Sequence, residues 1–187
     1  MPNALIIHGI CDKNEFFGDF PSGSNSHWLP WLQKELIKKG VETQTPEMPT
    51  PYDPRYDDWK RVFGQFHVGP ETMLVGHSAG AGFLLRWLGE NQTSFQKLIL
   101  VAPWLDPSRG KKGFLDFAID PLIQGGVGEI HIFASADDPV EGVRESVEKI
   151  METLPKAKIH TLWRMRHFTF EEMGTSRFPS LLETMVK

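Results

Sequence analysis

The sequence predicts an α/β fold: about six mostly parallel strands with helices on both faces of one sheet. Three observations predict it. Short apolar runs alternate with helical patterns along the chain, the order that builds a parallel sheet. Runs such as Leu98-Ile99-Leu100-Val101 are continuously apolar, as strands covered on both faces must be. The 187 residues, 40% hydrophobic and 24% charged, suit one good core and are short for two, so a single domain over 1–187 is expected.

The elements follow in order. Ala4 to His8 reads as a buried strand. Trp28 to Lys39 has helical periodicity, with Trp28, Trp31, Leu32 and Leu36 on one face, and Gly40 ends it. Val41 to Thr45 is a short strand. Pro46, Pro49, Pro51 and Pro54 then impose a loop. Asp57 to Phe66 reads as a helix, Thr72 to Val75 as a strand, Ala81 to Leu88 as a helix, and Lys97 to Ala102 as the next strand. Residues 103–128, with Gly110, Gly113, Gly125, Gly126 and Gly128, resist assignment beyond a short helix near Phe114–Ile119, and such an excursion is expected to cover the site. Glu129 to Ala134 is a strand, Val143 to Leu154 an amphipathic helix stopped by Pro155, Lys158 to Trp163 the last strand, and Pro179 to Val186 a closing helix.

Charge and composition exclude several classes. A net charge of −4 argues against a nucleic-acid binder, which usually carries a basic face. No apolar run reaches membrane-spanning length, and Ala4-Leu5-Ile6-Ile7 is too short for a signal sequence. One cysteine, Cys11, cannot form an internal disulfide and fits a reducing compartment, so a cytoplasmic location is expected. No H-E-x-x-H, cysteine pair or G-x-x-x-x-G-K loop occurs, so no metal or cofactor is expected.

Gly76-His77-Ser78-Ala79-Gly80 stands between the strand at 72–75 and the helix at 81–88. This is the G-x-S-x-G pattern in the strand–turn–helix context that makes it a nucleophile elbow. A serine hydroxyl needs a base, and the base needs an orienting group. With such an elbow the acid follows the serine, and the histidine follows the acid. Asp137 and Asp138 follow the strand at 129–134, and His167 follows the last strand. Catalytic residues in such sheets lie past the carboxyl ends of strands. Asp138 is preferred as the acid because it stands three residues after a small residue and directly before Pro139-Val140, with Asp137 the alternative. His8, His27, His67 and His77 precede the acid, and His131 and His160 lie within strands, which leaves His167. Ala79 and Ile10 are the expected oxyanion donors through their backbone N–H groups, with Gly9 giving close backbone approach. His8, Gly9, His77, Trp104 and Phe168 are candidates to line a pocket; Trp28, Phe114 and Phe170 could also do so, although core packing explains these as well.

The chain resembles the small serine hydrolases of the retinoblastoma-binding protein 9 type over most of its length. The resemblance rests on Ile6-Ile7-His8-Gly9, Asn25-Ser26-His27-Trp28-Leu29-Pro30-Trp31-Leu32, Met48-Pro49-Thr50-Pro51, Asp58-Trp59, Gly76 to Gly80, Ser135-Ala136-Asp137-Asp138 and His167-Phe168. It implies a minimal α/β-hydrolase fold with little or no cap and a triad of Ser78, Asp138 and His167. Two departures stand out: Val140-Glu141-Gly142 where relatives often have Val-Pro, and Arg166 where a glycine commonly precedes the histidine. The L-x-C-x-E motif of the animal member has no counterpart around Cys11, so no pocket-protein partner is expected. The expected activity is hydrolysis of a small-molecule ester, with no nucleic-acid or membrane partner. Acyl transfer, amide cleavage, and a binding or regulatory role on the same scaffold remain alternatives at this stage.

Overall fold

The computed structural model describes residues 2–111 and 113–187. Six strands, β1 (Asn3–Ile7), β2 (Glu42–Gln44), β3 (Thr72–His77), β4 (Phe95–Val101), β5 (Val127–Ser135) and β6 (Lys158–Leu162), form one sheet in the order β2-β1-β3-β4-β5-β6. Every neighbouring pair is parallel. The chain first moves outward from β1 to β2, then returns past β1 to β3 and continues in the opposite direction. The connections leaving β1 and β3 therefore diverge and open a crevice at their carboxyl ends, the usual place for a ligand in an open α/β sheet.

The helices are α1 (Lys13–Phe17), α2 (Leu29–Lys38), α3 (Tyr56–Phe63), α4 (Ala79–Asn91), α5 (Val143–Thr153), α6 (Phe170–Met173) and α7 (Pro179–Val186). α2 buries Leu29, Leu32 and Leu36 at helical spacing. In α3, Tyr56, Trp59 and Phe63 make the buried stripe; Asp57 and Asp58 in its first turn and Lys60 and Arg61 in its last suit the helix dipole. α3 and α4 pack together through Phe83, whose ring lies 5.6 Å from Trp59 and 5.5 Å from Phe63. α4 is buried on nearly every side from Ala79 to Leu88, which explains why that part of its sequence is apolar apart from Arg86. α2 and α7 meet where Trp28 and Phe178, the residues just before them, pack edge to face at 5.8 Å. Each fully buried Leu, Ile or Phe in this core contributes about 1.5–3 kcal/mol by removal from water.

The sequence expectations hold for the six strands and the main helices, with ends shifted by a few residues. The residues from Gly64 to Phe66, expected as helix, form a turn closed by Gln65 N–H to Val62 O and Phe66 N–H to Phe63 O. The expected helix at 114–119 is absent: that stretch is irregular, and a short 3₁₀ helix at Pro121–Gly125 follows it. Tertiary packing overrides local propensity there. Phe114, Leu115 and Ile119 are all buried, and Phe114 sits 4.8 Å from the Trp59 ring. A Cβ on Gly82 would lie 2.5 Å from Trp104 O and 3.0 Å from the Leu115 side chain, so the excursion lies down on α4. α1 and α6 were not anticipated. Each is a short helix started by a side-chain cap, Asp12 accepting from Glu15 N–H and Thr169 from Glu172 N–H.

Lys97 in β4 is a buried lysine with a structural task. Its Nζ donates to Thr184 O at 2.9 Å and Met185 O at 3.3 Å, carbonyls at the end of α7 with no partner inside the helix. Replacing it, as Lys97→Ala, is expected to lower unfolding stability in urea by about 1.5–3 kcal/mol, the usual worth of hydrogen bonds to a charged group. An unchanged midpoint would show that α7 docks without this cap.

Candidate active site

Ser78 is the single residue between β3 and α4, and it sits at φ 53°, ψ −122°. A non-glycine residue there is strained by about 1–3 kcal/mol and must be held by its surroundings. Three main-chain bonds hold it: Ser78 N–H donates to Val101 O at 2.9 Å, and Ser78 O accepts from Ala81 N–H and Trp104 N–H, each at 3.1 Å. Two glycines give the turn its room. A Cβ on Gly76 would lie 2.5 Å from Ala81 Cα, and one on Gly80 would lie 2.5 Å from Ile7 O. The end of β1 is thus pressed against the start of α4. The following loop continues over the serine, since a Cβ on Gly9 would stand 3.1 Å from Ser78 Cβ.

Three side chains from three strand ends converge. Ser78 Oγ lies 2.9 Å from His167 Nε2. His167 Nδ1 lies 3.0 Å and 3.2 Å from the two oxygens of Asp138. An ionised carboxylate only accepts, so His167 carries its proton on Nδ1 and turns the Nε2 lone pair to the Ser78 hydroxyl. Asp138 is held by Val140 N–H, which donates to its Oδ1 at 2.9 Å. The Asp138 side chain is 5% exposed and that of His167 12%, so the pair works in a largely dry setting. Asp137, the alternative acid, points elsewhere and accepts from the Ser135 hydroxyl at 2.6 Å.

The residues expected to line a pocket divide into two groups. Gly9 and the partly exposed Trp104 flank Ser78, the latter with its indole N–H donating to Glu141 O at 3.0 Å. His8, His77 and Phe168 do not line a cavity: they are 2%, 3% and 0% exposed and brace the site from behind. His8 Nδ1 donates to Gly9 O at 2.7 Å while Nε2 accepts from Met48 N–H at 2.8 Å, which fixes a neutral imidazole. His77 Nε2 donates to His167 O at 2.9 Å. Phe168 stacks on Phe178 at 5.3 Å. Trp28 and Phe114 are fully buried core residues, and Phe170 is exposed at the start of α6. Ala79 opens α4, so its N–H has no intrahelical acceptor. Ile10 follows Gly9 and packs partly buried against the core. Cys11 lies close by, but burial and the nearby Glu15 push its thiol up to about 11, so it is protonated at neutral pH.

Sequence reasoning missed Ser135 and Glu172 as parts of the site. Glu172 had a readable signal, the Thr169-x-x-Glu172 spacing of a capping box. Its carboxylate goes to His167 N–H at 2.7 Å instead of back to the cap residue. The departure at Arg166 also gains a physical meaning. Arg166 sits at φ 45°, a left-handed conformation that costs a glycine nothing.

Burial, followed by the neighbouring His167, holds the His77 imidazole well below the usual histidine value. Burial likewise lowers His8 and His27. A depressed folded-state pKa means that the unfolded chain takes up the proton first. The stability these groups confer is full above about pH 6.5 and is lost as pH falls below it. Urea unfolding between pH 7.5 and 5.5 should therefore show declining stability below about 6.5, and a flat profile would contradict neutral burial of these rings.

Residues 18–185 match the serine hydrolase family. The YdeN protein of Bacillus subtilis is 36% identical over 85 residues, a segment spanning 44% of this chain and 40% of that relative. The solved structure of the B. subtilis ydeN gene product superposes with a TM-score of 0.82 at 25% identity, covering 100% of this chain and 97% of that one. Est1E from Butyrivibrio proteoclasticus, solved with ferulic acid bound, superposes at 0.71 with 15% identity, covering 100% and 88%. A 2-hydroxy-6-oxo-6-phenylhexa-2,4-dienoate hydrolase from Rhodococcus superposes at 0.62 with 13% identity, covering 100% and 91%. These last two likenesses concern the fold, which is that of the α/β-hydrolases. With nearly its whole length matched, the chain belongs to the serine hydrolase family.

Proposed function

We propose that this protein cleaves small carboxylic esters through an acyl-enzyme on Ser78. The observation that carries the reading is the continuous line from Ser78 Oγ to His167 Nε2 at 2.9 Å and from His167 Nδ1 to Asp138 at 3.0 Å. In this reading the turn at 76–80 is a nucleophile elbow, and Ser78, His167 and Asp138 form a catalytic triad. Ser78 Oγ attacks the ester carbonyl carbon while its proton passes to His167 Nε2. Asp138 fixes the tautomer and stabilises the imidazolium. The oxyanion sits on the N–H groups of Ala79 and Ile10; the unpaired start of α4 and the close approach of Gly9 to Ser78 support that assignment. When the intermediate collapses, the C–O bond to the alcohol breaks, and the alcohol leaves with the proton from His167. Water then adds to the acyl group and gives its proton to His167; the bond from the acyl carbon to Ser78 Oγ breaks, His167 returns that proton to Oγ, and the acid departs.

The resemblance to the retinoblastoma-binding protein 9 type is part of the same reading, because its motifs at 6–9, 76–80 and 135–138 all end at this site. The single Cys11 suits work in a reducing compartment such as the cytoplasm.

Two measurements test the reading. A fluorophosphonate probe should label the wild type and leave Ser78→Ala unlabelled; equal labelling of the two would refute it. On p-nitrophenyl esters, Asp138→Asn should lower kcat by about 10⁴-fold, as loss of the correct tautomer does in enzymes of this mechanism. A loss below tenfold would remove Asp138 from the role of orienting acid.

A further inference from the structure

The loop that carries His167 is built in an unusual way. Four consecutive backbone N–H groups, from Arg164 to His167, end on side-chain oxygens. Arg164 N–H and Arg166 N–H both donate to Asp137 Oδ1, at 3.1 Å and 3.4 Å. Met165 N–H donates to Ser135 Oγ at 3.2 Å, and the Ser135 hydroxyl donates onward to the same Asp137 oxygen at 2.6 Å. His167 N–H donates to Glu172 Oε2 at 2.7 Å, and Glu172 Oε1 is paired with Arg166 Nε at 3.2 Å. On the far side of the same residue, His77 Nε2 donates to His167 O at 2.9 Å. The peptide groups before and after the His167 Cα are therefore each gripped by a side chain.

The backbone explains why such grips are needed. Arg164, Arg166 and Phe168 have φ of 62°, 45° and 59°, so three non-glycine residues within five take left-handed conformations. Residues persist there only when their surroundings over-determine them. A left-handed turn of this kind also takes the amides away from the sheet ladder, and the part-buried ones, Met165 N–H and His167 N–H, must find another acceptor. Asp137 suits the task chemically. One of its oxygens accepts from all three donors, and the donated hydroxyl of Ser135 and the loop amides hold the Asp137 carboxyl below its usual range.

We propose that Asp137 and Glu172 are positioning residues that hold the His167 imidazole on Ser78 by fixing the backbone of the 164–168 loop. The proposal rests on the reading of Ser78 and His167 given above. The adjacent aspartates then divide the work: Asp138 orients the ring of His167 directly, and Asp137 orients the chain that carries the ring. Neither Asp137 nor Glu172 touches the reacting atoms. Their effect comes through geometry, where a misplacement near 1 Å can cost about 10²-fold in rate.

The test compares Asp137→Ala, Asp137→Asn, Glu172→Ala and Asp138→Asn in the full chain, by steady-state kinetics on a p-nitrophenyl ester and by the downfield proton resonance of His167 Nδ1–H. Asp137→Ala should lower kcat by about 10- to 100-fold with KM within twofold, and should broaden or remove the resonance. Asp137→Asn keeps an acceptor oxygen in place and should recover most of the rate and the resonance. Glu172→Ala should show the same kcat-only loss, which decides the matter if Asp137→Ala does not fold. Wild-type kcat in both Asp137→Ala and Glu172→Ala would overturn the proposal. So would Asp137→Asn as impaired as Asp138→Asn, because Asp137 would then act on the imidazole itself. If the wild type neither turns over esters nor labels with a fluorophosphonate, it is the reading of Ser78 that fails. The resonance alone then judges the loop: its persistence in Asp137→Ala would overturn the proposal, and its loss there with retention in Asp137→Asn would support it.

Discussion

The site depends on one constraint: Ser78 must stay in a backbone conformation that serine does not favour. Its φ of 53° is held by Val101 O on one side and by the N–H groups of Ala81 and Trp104 on the other. Those three partners come from β4, α4 and the segment after β4, so the strain is resisted by the centre of the sheet. The close approach of Gly80 to Ile7 O locks β1 against the same turn, and with it the loop of Gly9 and Ile10. A parallel sheet whose order reverses between β1 and β3 is what brings these strand ends together. The serine, only 8% exposed, is therefore held within a frame of strand ends.

Electrostatics around the serine follow from burial. Four histidines, His8, His27, His77 and His167, lie close to it, yet they are not equivalent. His8 and His77 are sealed inside, and burial favours the neutral ring in both; at His8 the Met48 N–H that donates to Nε2 favours it as well. His27 is turned away, its Nδ1 accepting from Phe170 N–H at 3.2 Å. Of the four, His167 is the one whose ring meets a carboxylate at hydrogen-bond distance, 3.0 Å to Asp138. A charge arising on that ring during reaction is thus matched by Asp138, while the surrounding imidazoles add none of their own.

Much of this was legible in the sequence, and the limits have physical causes. Continuous apolar runs revealed the strands, because a sheet covered on both faces needs them. The order of Ser78, Asp138 and His167 was readable because each follows a strand end. The direction of a side chain was not readable. His8, His77 and Phe168 have the residue types of a pocket lining, but each turns inward, and only the packing of Met48, His167 and Phe178 around them decides that. Adjacent aspartates posed the same difficulty, since neighbours in a turn point in different directions for reasons of backbone geometry. The excursion at 103–128 hid its path because its order comes from distant contacts, such as Phe114 on Trp59, and not from local propensity. The left-handed residues of the 164–168 loop are arginines and a phenylalanine, and nothing in those residue types announces that conformation.

The central claim is that Ser78 carries the acyl group. Rapid acid quench of the protein with a p-nitrophenyl ester, followed by peptide mass spectrometry, tests it most directly. The account predicts the acyl mass on the peptide containing Ser78 and no acylated species in Ser78→Ala. Acylation at Cys11 instead, or turnover that persists at the wild-type rate in Ser78→Ala, would contradict it.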